Sequence, residues 1–152
     1  MYKRQKLLKA LGYQENLLIE VPAPTGNDSD KFRGALRFLA SAHDEYRRGE
    51  WRTSVERCRQ ALESLGADLS ETSAPNGGDW KALFNDRDSL TKEQRLRAVR
   101  HTMFALTSLA VHAKGEVAEN TQWHSEDALA VLTMTAGTVR WLSEAATRGR
   151  RV

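Results

Sequence analysis

The chain has little with which to cross-link itself, span a membrane or build a sheet. Its single cysteine, Cys58, can close neither an internal disulfide nor a cysteine zinc site. A reducing compartment is the default for such a chain, so a cytoplasmic location is expected. Cys58 falls on an apolar stripe, where it reads as a small core residue. No apolar run approaches the roughly 20 residues of a membrane-spanning helix. The basic start is not followed by the continuous apolar core of a signal peptide. Only residues 17–21, LLIEV, read as a strand, and they stop at Pro22. A lone strand leaves its backbone donors and acceptors unpaired. It therefore pairs with another domain or a second copy, or it serves as an extended linker. No phosphate-binding glycine loop, zinc-protease motif, EF-hand or nucleophile elbow is present, and no internal repeat of fixed period is visible.

What is present is helical. At 152 residues the chain is one domain's worth, able to bury roughly two thirds of its unfolded surface. Hydrophobic residues make up 40% and charged residues 28%, an ordinary composition for a soluble domain. The net charge is +3 and the pI about 9.2. That basic excess sits at the two ends, in Lys3, Arg4, Lys6, Lys9, Arg148, Arg150 and Arg151, so it is a weak footprint for a nucleic-acid face.

Residues 91–115 carry the clearest helical stripe. Leu96, Val99, Met103, Leu106, Ala110 and Ala113 recur at spacings 3-4-3-4-3, and Phe104 and Leu109 widen the face. Thr91 and Gln94 have the spacing of a capping box, and Gly115 can end the helix. Residues 28–48 give a second helix, with Phe32, Leu36, Leu39, His43 and Tyr46 on its stripe, Ala35 and Ala42 beside it and Gly49 as its stop. Here His43 is expected to be buried with a hydrogen-bond partner. Residues 51–69 follow after a very short turn, with Trp51, Val55, Cys58, Leu62, Leu65 and Leu69 in line, so the two helices form an antiparallel hairpin. Ser125 is expected to cap a last helix, on which Ala128, Val131 or Leu132, Thr135, Val139, Leu142 and Ala146 face inward before Gly149. A short helix over 80–84 can pin the long 70–90 connection to the core, and a weaker helix over 6–11 precedes the strand. The fold class predicted is all-α: an antiparallel four-helix bundle over 28–149, with an N-terminal remnant or linker over 1–27 and a tail at 150–152.

Three groups of residues could carry chemistry. His112, His124 and Asp127 bracket the loop between the last two helices and are weak candidates for a divalent metal or a proton relay. The spacing is not a metal-ligand signature, so no metal or cofactor is expected. Arg52, Arg57 and Arg59 lie on the second helix, and Arg95, Arg97 and Arg100 on the third, beside His101. Arginine suits phosphate because its planar fork meets two oxygens, which makes Arg52, Arg59 and Arg97 the nucleic-acid-binding candidates. The interspersed Asp44, Glu56, Glu63 and Glu93 favour a solvated face of helical ion pairs instead. Few exposed aromatics interleave with these arginines, against a single-strand stacking platform.

The stretch AHDEYRRGEWRTSVERCRQALESL, a long loop, a helix ending LTSLAVHAKG, and a polar loop into HSEDALAVLTMTAGTVRWL resemble the HEPN superfamily of helical domains over roughly residues 30–146. RNA-cleaving members carry an arginine, four to six residues and then a histidine late in a central helix. Two such motifs meet in a dimer, where the histidine activates the ribose 2′-hydroxyl. His112 matches that histidine by position, but the arginine slots hold Ala105, Leu106 and Thr107. Arg95 and His101 satisfy the spacing only at the start of the helix. The resemblance therefore implies a non-enzymatic dimerisation or partner-binding module, of a kind common in bacterial defence and stress systems. The alternative it leaves is an RNA-cleaving or RNA-binding domain using His112 or His101 with Arg100 or Arg97. The segment YRRGEWRTSVERCRQALE is also similar to one tetratricopeptide helix pair, but one unit alone has no neighbour to bury its face. Residues 1–5, MYKRQ, resemble a spurious translation found at the ends of reading frames from assembled short-read DNA. On that reading they are non-native, and the chain is the C-terminal part of a larger bacterial or phage protein whose upstream domain, or a second copy, is the expected partner.

Overall fold

The structure, a computed structural model, describes residues 29–65, 87–112, 117 and 121–148. The expected strand at 17–21 and the short helices at 6–11 and 80–84 lie outside the described residues. Within them the fold is all-α, with no strand. Four helices are formed: α1 Ser29–Arg47, α2 Trp51–Ser64, α3 Lys92–His112 and α4 Ser125–Thr147, with a 3-10 turn at Arg87–Ser89 ahead of α3.

Local chemistry accounts for the helix ends. Gly49 takes the left-handed conformation, φ 81°, which costs a side-chain-bearing residue about 1–2 kcal/mol. The Gly49 and Glu50 amides then donate to the carbonyls of Tyr46 and Glu45, both at 3.0 Å. This is the Schellman closure, and it satisfies carbonyls that the end of α1 would otherwise leave open. At the start of α3 the Thr91 amide donates to Gln94 Oε1 at 2.8 Å and the Gln94 amide to Thr91 Oγ1 at 3.3 Å, forming the expected capping box. At α4 the cap differs from expectation by one residue. His124 occupies the N-cap position with extended φ, its amide donates to Asp127 Oδ2 at 3.0 Å, and Ser125 lies inside the helix, its hydroxyl donating to Glu126.

The main core lies among α1, α2 and α4, with Ala110 of α3 joining it. Phe32, Ala35, Leu39 and Ala42 from α1 meet Val55, Cys58 and Ala61 from α2 and Ala128, Val131, Leu132, Val139 and Leu142 from α4. The hairpin is tight. The Ser54 hydroxyl, fully buried, donates to the Ala42 carbonyl at 2.8 Å, and a Cβ placed on Gly34 would come 3.4 Å from Ser64 Cβ. Pairing 42 with 54 and 34 with 64 is an antiparallel register. That close approach decides which face of α1 turns inward. The small Ala35 and Ala42 take the centre, and His43, expected on the buried stripe, is exposed.

Helix α3 packs chiefly on α2 and touches α4 only lightly. Its buried residues are Arg100, Met103, Thr107 and Ala110, whereas Val99 is 55% and Leu106 38% exposed. Met103 and Ala110 stay inside while Arg100 and Thr107 replace Val99 and Leu106, so the helix is turned by about half a residue from the face its aliphatic pattern marks. Met103 packs with Leu62 and Phe104 in a second, smaller cluster. No helix among the described residues is long and apolar enough to cross a membrane.

Candidate functional site

The polar chemistry of the described residues concentrates where α2 meets α3. Arg59, on α2, is buried among it. Its Nε donates to Glu63 Oε1 at 2.8 Å, one helical turn on, and its Nη1 donates to the Ser108 hydroxyl on α3. The guanidinium carbon lies 4.3 Å from the Phe104 ring centroid. Ser108 in turn donates to the Phe104 carbonyl at 2.7 Å. A desolvated cation over an aromatic face contributes on the order of 2 kcal/mol, and the carboxylate and hydroxyl satisfy the donors that burial would otherwise strand.

Arg52 uses the same interface differently. Its Nε and Nη2 both donate to the Ala110 carbonyl, at 3.0 and 2.9 Å, and Nε also lies 3.4 Å from Glu56. A cation on a carbonyl of the last turn of α3 complements the negative end of that helix dipole. Arg57 reaches Gln60 Oε1 at 2.8 Å along its own helix. Arg52 and Arg59, two of the three nucleic-acid-binding candidates, therefore hold α3 against α2. The Arg59–Glu63 pair has the i,i+4 spacing of a solvated helical ion pair, but the Arg59 guanidinium is enclosed between the two helices.

The remaining sequence candidates are dispersed. Arg100 is buried and His101 half-buried on α3, and each is engaged in a polar or electrostatic interaction. Arg95 donates from Nε to the Leu90 carbonyl at 3.1 Å. Arg97 lies within α3 and His112 closes it, but their side chains are outside the described residues. Thr107 is buried with its hydroxyl on the Phe104 carbonyl at 3.1 Å. Of the weak metal group, His124 is exposed and the Asp127 carboxylate caps α4. No cluster of three or more metal-ligating side chains occurs among the described residues.

Burial pushes the Cys58 thiol up to about 12, offset only partly by the hydrogen-bonding Thr135 side chain. The thiolate, the reactive form, is suppressed at neutral pH. The Glu126 carboxyl is held below the usual carboxylate range by its own backbone amide first and by the Ser125 hydroxyl second. It is exposed in the first turn of α4, where the helix dipole also favours its charge.

A shallow open depression of about 390 Å³ lies near the start of α3, lined by Leu90, Lys92, Arg95, Leu96 and Val99. It is separate from the Arg59 network and takes two of its five lining residues from the aliphatic stripe that α3 leaves outside. Sequence reading missed Arg59 as an interhelical anchor. The signal was Phe104 and Ser108, spaced i and i+4 on α3 as a ring and a hydroxyl on one face. Comparison with protein-family models, with curated proteins and with solved structures finds no match to this chain.

Proposed function

We propose that this chain is a non-enzymatic HEPN-like interaction and dimerisation module of a larger bacterial or phage protein, acting in the cytoplasm in defence or stress. The observation that carries the reading is the inward placement of Arg59. Arg59, one of the three candidates for binding phosphate, is enclosed by Glu63, Ser108 and Phe104, so it builds the fold instead of a ligand face. Thr107 stands buried in the slot where an RNA-cleaving relative needs a guanidinium.

The arrangement proposed is an antiparallel four-helix bundle. Pairings of 42 with 54 and of 52 with 110 support it for α1 with α2 and for α2 with α3. On α4, Thr135 meets Cys58 of α2, and the Thr138 hydroxyl donates to Met103 Sδ of α3 at 3.3 Å. Both contacts fit an α4 running with α2 and against α3.

The test is a mass measurement beside an RNA-cleavage assay in chelator. A dimer, or a stable complex with an upstream domain, without cleavage is expected. Metal-independent cleavage that disappears in His112→Ala or His101→Ala would replace this reading with the RNA-cleaving one.

A further inference from the structure

We infer that the outer side of the α3–α4 seam is the surface on which two copies of this chain meet, related by a two-fold axis. The inference rests on the interaction-module reading above and names its partner and its face. Val99 is 55%, Leu106 38% and Met134 43% exposed. Val99 and Leu106 are seven residues apart, so they share one flank of α3. Between them Met103 is buried and takes the Thr138 hydroxyl of α4, and Met134 lies one turn before Thr138. The three exposed side chains therefore border the same seam from its solvent side.

Gly137, near the middle of the 23-residue α4, sits beside them. A Cβ added there would meet nothing within 4 Å. A mid-helix glycine costs about 1 kcal/mol against alanine, and no contact within the described protomer requires it. It leaves bare backbone that a facing helix can approach closely.

Charge selects a second copy as the occupant. With α4 antiparallel to α3, one end of the seam carries the exposed Lys92, Arg95 and Arg148 beside Glu144, and the other carries Glu126 and Asp127. A two-fold axis through the middle of the seam lays the basic end of each copy on the acidic end of the other.

The test is sedimentation equilibrium on the full chain, with circular dichroism to check folding. The wild type is expected at twice the 17.1 kDa chain mass. Leu106→Glu and Met134→Glu are expected to weaken self-association at least tenfold with helicity unchanged. Leu129→Glu, at an exposed position on another flank of α4, leaves the dimer intact. Gly137→Cys supplies an independent readout, since the native thiol is buried. Position 137 lies near the axis, so a short bismaleimide is expected to join two copies. A dimer that resists both glutamates, or that fails to cross-link through position 137, overturns this surface and leaves dimerisation standing. A monomeric wild type overturns this surface together with the dimerisation.

Discussion

The guanidinium of Arg59 rests 4.3 Å from the centroid of the Phe104 ring, joining α2 to α3 across 45 residues of sequence. Arg59→Ala removes this contact together with the hydrogen bonds to Ser108 and Glu63, and is expected to cost about 2–4 kcal/mol in urea unfolding. Glu63→Ala leaves the buried Arg59 guanidinium without its carboxylate, so its cost is expected to approach that of Arg59→Ala. A double-mutant cycle of Arg59→Ala with Phe104→Ala should return a coupling of about 1–2 kcal/mol. Coupling near zero would show that the ring does not hold the arginine.

Helix α3 provides a direct check on its rotation. Met103→Ala is expected to cost about 2–4 kcal/mol, as for other buried methionines. Leu106→Ala is expected to stay within about 0.5 kcal/mol when unfolding is extrapolated to infinite dilution, where self-association no longer contributes. Equal costs at the two positions would place both in the core and contradict the observed rotation.

The α4 cap discriminates two local readings. Asp127→Ala removes the acceptor of the His124 amide and should cost about 1 kcal/mol. Ser125→Ala should change stability by no more than a few tenths. The reverse order would return the cap to Ser125.

Cys58 gives an alkaline signature. Its folded value lies near 12 against an ordinary 9.0, so the folded state holds the proton more tightly than the unfolded one. The associated stability is complete below pH 9 and is lost as pH rises from 9 toward 12. Midpoints of urea unfolding should fall across that window, and Cys58→Ala should flatten the slope while lowering stability at pH 7. At neutral pH a thiol reagent should label Cys58 only as fast as the fold opens.

Helix positions were legible because the chemistry that sets them is local. Gly49, the Thr91–Gln94 pair and the apolar spacing of α4 each act within a few residues, and the structure places those features where the pattern predicts. The arginines were less legible. A guanidinium four residues from a carboxylate reads as a solvated pair on any helix surface, and only the arrival of α3 carrying Phe104 and Ser108 makes Arg59 an interior residue.

The same division accounts for the two misplaced stripes. By itself the sequence determined that α1 and α3 exist, how α1 ends, how α3 begins and which side chains share a face. Which face turns inward was decided by tertiary contacts. On α1 the tight Gly49 turn brings α2 close enough that alanines pack better than His43. On α3 the burial of Arg59 against Phe104 and Ser108 draws that side toward α2 and leaves Val99 and Leu106 outside. Hydrophobic periodicity ranks faces by apolar content alone, whereas packing ranks them by fit against a particular neighbour.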